Sequence, residues 1–306
     1  MPENLTDRNR CHKCDKTGKR KKDKLSKCAR CHAVTYCSRE CQVEDWARHK
    51  ENCVPVMVTK VEGKGRGLVA ARDLKMGELI LIDKAVVSSD ALIRGGYDLT
   101  PEAERMLLNQ KIFKDISLLN HSCAPNAAMG LLDGERNKEP EKRFELRATK
   151  NISKEEEVTI FYLYKDCLFT HADKRASIRK EFGFDCRCLV CLGQIPNQDH
   201  LVMRMQLETF NMKDVSPKKN EEKTLQDWKK EAIVAAIMSD LAKHLYMGRE
   251  TEKMKYFFML FRGAMKSRDS ALMKKALDDM KELADKLGFE SMKNEVESCE
   301  AILNNF

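Results

Sequence analysis

The stretch NHSCAPN occupies residues 120–126, and the stretch CRCLVC occupies residues 186–191. Cys123 therefore stands 63 positions before Cys186, the first of three closely spaced cysteines. The chain has 306 residues and 13 cysteines, an odd number, and most of the cysteines are clustered. Its first ten residues are polar and do not resemble an export signal. We therefore expect metal ligation rather than disulfide bonds.

A denser cluster lies between residues 11 and 53. Eight of its side chains are soft metal ligands at paired spacings: Cys11, Cys14, Cys28, Cys31, Cys37, Cys41, His49 and Cys53. Eight such ligands suffice for two tetrahedral zinc sites, although spacing alone leaves their pairing open. Because the segment has few apolar residues, metal binding must supply most of its folding free energy. His12 and His32 stand between ligand pairs, and we expect both to be exposed to solvent.

The charge is unevenly distributed along the chain. Residues 1–60 hold 15 Lys or Arg against 8 Asp or Glu, and this part carries most of the net charge of +8. The basic run at residues 16–24 indicates an acidic partner or a nuclear address, although such runs are more often solvated loops. Since no aromatic residue interleaves it, we do not expect nucleic acid to be the main partner.

The apolar pattern argues against a membrane protein. The longest apolar run, residues 232–238, is far shorter than the ~20 residues that a membrane-spanning helix requires. Charged residues make up 34% of the chain and the apolar set 42%, a balance that is typical of a soluble globular protein. We expect the protein to reside in the cytoplasm, the nucleus or both.

The rest of the chain separates into three zones by composition. Residues 54–164 alternate short apolar runs with turn residues, which predicts small antiparallel sheets. Residues 165–193 predict a short helix that Thr170 caps, followed by the second cysteine cluster. Residues 196–306 repeat apolar side chains at helical spacing, which predicts three to five antiparallel helices.

Three further stretches become informative when they are considered together with the first two. GKGRGL at residues 63–68 predicts a glycine turn at which the backbone can approach a ligand closely, although a simple hairpin loop would look the same. VTIFY at residues 158–162 predicts a strand that ends at Tyr162, and FGF at residues 182–184 leads into the second cysteine cluster.

Residues 11–53 resemble the MYND zinc finger, down to Tyr36, Gln42 and Trp46. The resemblance implies interleaved ligand pairs, with one zinc on Cys11, Cys14, Cys37 and Cys41 and the other on Cys28, Cys31, His49 and Cys53. It also implies a docking surface on which Gln42 and Trp46 line a groove for proline-rich peptides. Packing of Trp46 into the small zinc core is an equally good interpretation.

The five quoted stretches together resemble the SET-domain protein lysine methyltransferases. With the finger they resemble the SET and MYND domain-containing (SMYD) family, in the arthropod-type arrangement that has the finger before the SET core. The resemblance implies an α+β protein of four parts. These are a zinc-stapled MYND finger (11–53), a β-rich SET domain (54–164), a post-SET zinc-binding segment (165–193) and an all-α C-terminal helical lobe (196–306).

The activity that the resemblance implies is S-adenosylmethionine-dependent protein-lysine N-methylation, with a histone or another protein as substrate. Because methyl transfer to a neutral amine is an in-line displacement, orientation and desolvation should carry most of the catalysis. Tyr162 is the implied catalytic residue. The implied cofactor contacts are Lys64, Gly65, Arg66, Ser117, Asn120, His121, Tyr162, Phe182 and Phe184, with Phe184 stacked on the adenine.

A third zinc is implied by the two cysteine-bearing stretches quoted first. Its ligands would be Cys123, Cys186, Cys188 and Cys191, and it would close one wall of the lysine channel. Two cysteines then remain, Cys167 and Cys299, and we expect both to be buried thiols.

Two departures from the family pattern bear on activity. Phe182 stands where the family usually has a tyrosine, and only 32 residues separate Val87 from Asn120, where the family inserts a longer subdomain. A short helix with Thr100 as N-cap is predicted there. An alternative interpretation is therefore a catalytically weak or inactive scaffold that recruits proteins through the finger and the helical lobe. We expect a monomer.

Overall fold

The computed structural model describes residues 10–18, 25–32, 34–50, 53–84, 93–94, 98–99, 115–132, 143–163, 170–215, 223–244 and 250–306. The helix expected at Thr100, most of the basic run and Cys167 lie outside these ranges. Within them, the predicted α+β class is confirmed: a cysteine-rich finger, small sheets and C-terminal helices follow one another.

The finger consists of a two-stranded sheet and one helix. β1 (Ser26–Lys27) pairs antiparallel with β2 (Thr35–Tyr36), and α1 (Arg39–His49) follows. The helix begins where the Ser38 hydroxyl accepts the backbone N–H of Cys41, which has no partner inside the helix. Its cluster of buried apolar residues consists of four cysteines with Val34 and Tyr36, so the described part of the finger lacks an apolar core of ordinary size.

The central region consists of small sheets. Four strands form one sheet in the order β3 (Val56–Val61), β4 (Gly65–Ala70), β11 (Glu157–Ile160) and β8 (Asn120–His121). Three strands form a second sheet in the order β5 (Leu79–Lys84), β10 (Arg143–Ala148) and β9 (Ala127–Leu132). A short pair joins β6 (Ile93–Arg94) to β7 (Asp98–Leu99).

One pairing corrects the expectation of antiparallel sheets. β8 runs parallel to β11, with Asn120 opposite Thr159 and His121 opposite Ile160. Parallel strands need a long connection, and here the segment that contains β9 and β10 provides it. The pairing places the NHSCAPN stretch beside the strand that leads to Tyr162.

A single helix connects the sheets to the second cysteine cluster. α2 (His171–Phe182) begins with a capping box, in which the side chains of Thr170 and Asp173 each accept the other residue's backbone N–H. The predicted N-cap is therefore confirmed. The helix ends at Gly183, whose φ of 73° lies in the left-handed region that favours glycine.

The described part of the C-terminal lobe contains five helices: α3 (Asp199–Val215), α4 (Leu225–His244), α5 (Glu250–Ser267), α6 (Ser270–Leu287) and α7 (Glu290–Asn304). The number agrees with the prediction, and helices that are neighbours in sequence pack against each other. Apolar positions predicted to face inward are buried, among them Ala235, Met238, Leu277 and Met280. None of the helices in the described ranges has the length and apolar character needed to cross a bilayer.

The helical lobe docks on the three-stranded sheet. The buried ring of Phe289 lies so close to β9 that a Cβ added at Gly130 would stand 2.4 Å from its Cδ1 atom. Glu145 of β10 is fully buried and accepts the backbone N–H of Glu290 at 2.9 Å and the Nε–H of Arg147 at 2.7 Å. Since no side chain of α7 caps its own N-terminus, a sheet residue supplies that acceptor.

Arg72 joins the finger to the sheets. Its Nε donates to the Arg30 carbonyl at 2.7 Å, and its Nη2 pairs with a carboxylate oxygen of Glu78 at 2.5 Å. Burial tends to raise the pKa of Glu78, but the hydrogen bond and the charge of Arg72 outweigh burial and lower it. The pair therefore favours the ionised carboxylate at the domain junction.

Candidate active site and metal centres

The first cysteine group gathers Cys11, Cys14, Cys37 and Cys41, whose sulfur atoms all lie within 4.8 Å of one another. The Sγ atom of Cys37 is 3.6 Å from that of Cys14 and 3.5 Å from that of Cys41. Sulfur atoms bound to one tetrahedral zinc at 2.3 Å stand about 3.8 Å apart, so the group fits zinc. Burial opposes ionisation of Cys11, but nearby backbone N–H groups outweigh it and lower the pKa of its thiol to about 6.

The second group takes the alternate ligand pairs, Cys28, Cys31, His49 and Cys53, all of them buried. The Sγ atoms of Cys28 and Cys53 are 3.6 Å apart, and the Sγ of Cys31 lies 3.5 Å from the Nε2 of His49. Burial lowers the pKa of His49, which favours the neutral imidazole that binds metals. The structure thus brings together both ligand sets that the resemblance implies.

A buried carboxylate lies between these two groups. Asp45 is 2% exposed, and it accepts hydrogen bonds from Tyr36 Oη at 2.8 Å and Arg48 Nε at 2.9 Å. The Nδ1 of His12 lies 2.7 Å from the same carboxylate. The expectation that His12 is exposed was wrong, because a buried carboxylate requires donors and the ring turns inward to supply one. His32 is half-buried as well, which corrects the same expectation, and burial lowers its pKa.

The third group joins Cys123, just after β8, to Cys186, Cys188 and Cys191, which follow α2. The Sγ of Cys123 is 3.9 Å from that of Cys186 and 3.6 Å from that of Cys191, distances that again fit the edges of a zinc tetrahedron. Hydrogen bonding to the other three sulfurs raises the pKa of Cys123, and the same contacts lower the pKa of Cys186.

Outside these groups, Cys299 is buried in α7, as expected, and burial raises its pKa to about 12. His171, at the start of α2, was not predicted to lie near a metal site. Its Nε2 is 3.2 Å from the Sγ of Cys191, beside the third group.

His121 connects the third cysteine group to Tyr162. Its Nε2 lies 3.4 Å from the Sγ of Cys123, and its Nδ1 accepts the backbone N–H of Tyr162 at 3.2 Å. Because Nδ1 accepts, the hydrogen of the neutral ring is on Nε2 and faces the sulfur. Two elements that are distant in sequence are thereby held in a fixed relation.

Aromatic rings surround His121. The centroid of its ring lies 5.3 Å from those of Phe161 and Tyr162 and 6.3 Å from that of Phe184. Phe182 is next to Tyr162, with ring centroids 4.9 Å apart. Phe184 remains 38% exposed, so an aromatic surface is accessible beside the cluster. Such a surface suits a flat heteroaromatic ring.

Tyr162 lies just beyond its strand, and the predicted strand over residues 158–162 was too long. β11 ends at Ile160, and the Tyr162 hydroxyl donates to the Leu119 carbonyl at 2.5 Å. Leu119 directly precedes the NHSCAPN stretch. Tyr162 is therefore attached to the short segment that bears the implied cofactor residues Asn120 and His121.

The glycine turn lies against the NHSCAPN stretch. The Nδ2 of Asn120 donates to the Arg66 carbonyl at 3.1 Å. A Cβ added at Gly67 would lie 2.8 Å from this same nitrogen, so the close approach requires glycine. Gly65 has a φ of 81°, and none of the described atoms lies within 4 Å of a Cβ built there. The turn is therefore close to the site and open to a ligand.

Ser117 lies on the 3-10 turn formed by Ile116–Leu118 and is half-buried. The buried carboxylate of Asp83 holds this turn by accepting the backbone N–H groups of Asp115 and Ile116, at 2.7 and 2.9 Å. A contact between Ser117 and the cofactor stays a prediction.

Comparison with known proteins agrees with this geometry. A MYND finger family model matches residues 11–53, and a SET domain family model matches residues 65–163. The chain therefore combines a MYND finger with a SET domain, and it is similar in sequence to SMYD proteins. The predicted order, with the finger before the SET domain, is confirmed.

Named relatives of this chain are lysine methyltransferases. It is 34% identical to human histone-lysine N-methyltransferase SMYD3 over 146 residues, which cover 47% of this chain and 31% of SMYD3. It is 29% identical to the N-lysine methyltransferase SMYD2 of Sus scrofa over 215 residues, which cover 53% of this chain and 46% of SMYD2. The chain thus spans less than half the length of these relatives.

Among solved structures, the chain matches the Neurospora SET domain protein DIM-5, a histone lysine methyltransferase. The match has 20% identity and a TM-score of 0.27, and it covers 44% of this chain and 60% of that chain. This overlap is too limited to add to the sequence relationship.

Sequence reasoning missed one carboxylate at the site in the SET domain. Glu157 contacts both Lys64 and Asn120, at 2.5 and 2.8 Å, yet in the sequence it ends a run of charged residues, KEEE at 154–157, that is typical of a solvated turn. Its position as the first residue of the strand that leads to Tyr162 was the available indication. Asp45 and Asp83 were missed for a similar reason, since burial of an acid leaves no pattern in one sequence.

The expected docking residues of the MYND finger lie on α1. Gln42 is half-buried, and its Nε2 is 3.9 Å from the Sγ of Cys28. Trp46 lies 6.1 Å from His49 between ring centroids, yet it remains 41% exposed, and Val43 is 66% exposed. Trp46 therefore both contacts the finger's core and presents apolar surface to solvent.

Proposed function

We propose that this chain is an S-adenosylmethionine-dependent protein-lysine N-methyltransferase. The observation that carries the proposal is the convergence of four separated stretches around His121. The glycine turn reaches Asn120, the Tyr162 backbone bonds to His121, and Phe184 lies beside the same ring. The convergence of motifs so far apart in sequence supports a single ligand site that they share.

The chemistry of these residues fits the cofactor. Lys64 offers a cation to a carboxylate, Asn120 offers an amide to an amino-acid head group, and the exposed ring of Phe184 offers a stacking face to adenine. When bound, S-adenosylmethionine supplies an electrophilic methyl group on a sulfonium centre.

The chain's own contribution is orientation and exclusion of water. With its hydrogen donated to Leu119, the Tyr162 hydroxyl has a fixed direction, and its oxygen lone pairs can accept from an incoming amine. The surrounding rings of Phe161 and Phe182 make a poorly hydrated wall. Desolvation favours the neutral amine over the ammonium, and the neutral amine is the nucleophile.

We further propose three structural zinc ions per chain. Each group supplies four protein ligands, so no coordination position is left for a substrate, and the ions would stabilise the fold. The third would hold the segment that bears Phe182 and Phe184 against His121. We propose a lysine of a histone or another protein as substrate, in the cytoplasm, the nucleus or both.

The test of the proposal combines binding and transfer. The purified protein should bind S-adenosylmethionine in calorimetry and transfer an isotope-labelled methyl group to proteins of a cell extract. Mass spectrometry of the labelled proteins should locate the label on lysine. A protein that neither binds the cofactor nor labels any extract protein would contradict the proposal.

A docking scaffold is the second candidate, and the exposure of Trp46 and Val43 on α1 favours it. A scaffold needs only the finger surface, whereas the enzyme needs the His121 cluster. Titration with a proline-rich peptide should change the fluorescence of the protein, and Trp46→Ala should abolish this binding. A scaffold without enzymatic activity would bind the peptide and fail the methyl-transfer assay.

A further inference from the structure

Glu157 joins two of the residues proposed to hold the amino-acid end of the cofactor. Its side chain is 17% exposed at the start of β11. One carboxylate oxygen lies 2.5 Å from the Nζ of Lys64, and the other accepts a hydrogen from the Nδ2 of Asn120 at 2.8 Å. A single carboxylate therefore contacts both the glycine turn and the NHSCAPN stretch.

These contacts determine which way the Asn120 amide faces. Its Nδ2 approaches two oxygens, the Arg66 carbonyl and the Glu157 carboxylate. A carbonyl and an ionised carboxylate only accept hydrogens, so the group that faces them must be the NH₂ of the amide. The Oδ1 of Asn120 is then the amide atom that can accept from a ligand.

The resulting arrangement of charge suits an α-amino acid. Lys64 provides a positive group for a carboxylate, while the amide oxygen of Asn120 and the negative charge of Glu157 favour an ammonium group. A site with Lys64 and Asn120 alone would carry a net positive charge and would leave the amide free to turn its NH₂ toward the ammonium.

We infer that Glu157 is a positioning residue for the amino-acid end of the cofactor, because it fixes the Asn120 amide so that Oδ1 accepts from the α-ammonium group. The inference rests on the proposed function, since it requires that S-adenosylmethionine binds here. It assigns Glu157 no contact with the transferred methyl group.

Glu157→Gln tests whether the Glu157 carboxylate fixes the orientation of the Asn120 amide. Glutamine keeps the size of the side chain, but it loses the ion pair with Lys64 and can present either oxygen or NH₂ to Asn120. The Asn120 amide is then free to turn. The matched control is Glu155→Gln, the same change two residues earlier at an exposed position.

Two ligands make the measurement specific. One is S-adenosylhomocysteine, and the other is its desamino analogue, in which hydrogen replaces the α-amino group. Each ligand is titrated in competition with labelled S-adenosylhomocysteine. Glu157→Gln should weaken S-adenosylhomocysteine about tenfold, as expected for the loss of an aligned hydrogen bond to a charged group. It should leave the desamino analogue unchanged, and Glu155→Gln should bind both ligands as the original protein does.

Equal loss of both ligands, or loss of neither, would overturn the role of Glu157. Failure of the original protein to bind S-adenosylhomocysteine would instead overturn the proposed function, so the two failures are distinct. Thermal unfolding checks that Glu157→Gln is folded. If Glu157→Gln does not fold, Lys64→Gln tests the role of Glu157 instead, because this variant leaves the hydrogen bond between Asn120 and Glu157 intact. That variant should weaken both ligands alike, and a lost preference for the α-amino group would contradict the inference.

Discussion

The Tyr162 hydroxyl donates a hydrogen bond to the backbone carbonyl of Leu119 at 2.5 Å. The donor follows β11, and the acceptor is the residue before β8, the strand that runs parallel to β11. The parallel pairing therefore sets the position of the hydroxyl, because it fixes the Leu119 carbonyl relative to the end of β11. A side chain proposed to orient the substrate amine is aligned by the sheet itself.

Tyr162→Phe should reduce methyl-transfer turnover on the order of a hundredfold, in the range measured when a single aligned hydroxyl or amide donor is removed from an active site. Binding of S-adenosylmethionine should remain nearly unchanged, since the ring and its contact with His121 persist. Turnover and calorimetric affinity measured on the same preparation check both statements. Unchanged turnover would remove Tyr162 from the mechanism.

Phe182→Tyr should change the product rather than the fold. The Phe182 ring lies 4.9 Å from that of Tyr162, so the new hydroxyl would enter the region where the amine is expected. It would occupy space and bind the amine, and both effects should disfavour the most highly methylated product. Mass spectrometry of a methylated substrate gives the product distribution. The same distribution for both proteins would show that this ring does not face the amine.

Metal content should report the three cysteine groups separately. We expect three zinc ions per chain in the original protein, and two in Cys186→Ser and in Cys14→Ser. Loss of the third site should also impair cofactor binding, because that group holds the segment that bears Phe184 beside His121. Cys14→Ser serves as the control, since it should lose a zinc ion and retain cofactor binding. Elemental analysis gives the zinc content of each variant, and calorimetry gives its affinity for the cofactor.

Glu78→Gln should weaken the junction between finger and sheets. The folded-state pKa of Glu78 lies below its ordinary value of 4.5, so the Arg72 pair contributes stability above that pH and loses it as the pH falls through the lowered pKa. At pH 7 the variant should be about 1 kcal/mol less stable.

Chemical denaturation across pH 7 to 3 measures this difference for the Glu78→Gln variant. The gap between the two proteins should narrow in acid. The test uses the difference in unfolding free energy between the two proteins. Protonation of the zinc-binding thiolates at low pH destabilises both of them. Glu282→Gln, which breaks an exposed pair with Lys286, should change stability little at any pH. An equal effect of both variants would argue against a special role of the junction.

Gly130→Ala should destabilise the contact between the sheet and the helical lobe. The added Cβ would lie 2.4 Å from the buried Phe289 ring, and overpacking of this kind costs about 2 kcal/mol. Phe289→Leu should relieve the clash, so the double variant should be more stable than the sum of the two single changes predicts. Strict additivity in denaturant unfolding would contradict the contact.

The sequence predicted the metal groups well because their information is local. Paired spacings such as those of Cys28 with Cys31 and Cys186 with Cys188 determine which side chains can share an ion, and the family resemblance provides the interleaving. The capping box at Thr170 was predicted for the same reason. Each close pair and the capping box depend on residues that lie a few positions apart, whereas the joining of distant members, such as Cys123 with Cys186, came from the resemblance alone.

Features that depend on tertiary burial were not predicted. Glu157, Asp45 and Asp83 are acidic residues, which usually face water, and only the folded chain shows that each one accepts from donors of another element. The inward turn of His12 depends on Asp45, which is 33 residues away. The parallel pairing of β8 with β11 was hidden as well, because two-residue strands leave no periodic pattern.

The alternation of ligand pairs in the finger limits how this part of the protein can be divided or transplanted. The loop from Cys11 to Cys41 and the loop from Cys28 to Cys53 overlap, so a chain break anywhere between residues 28 and 41 separates ligands of both groups. Asp45 adds a further bond between the loops through His12. The finger should therefore be inherited, truncated or grafted onto another protein only as a whole, and no half of it should survive as a smaller unit.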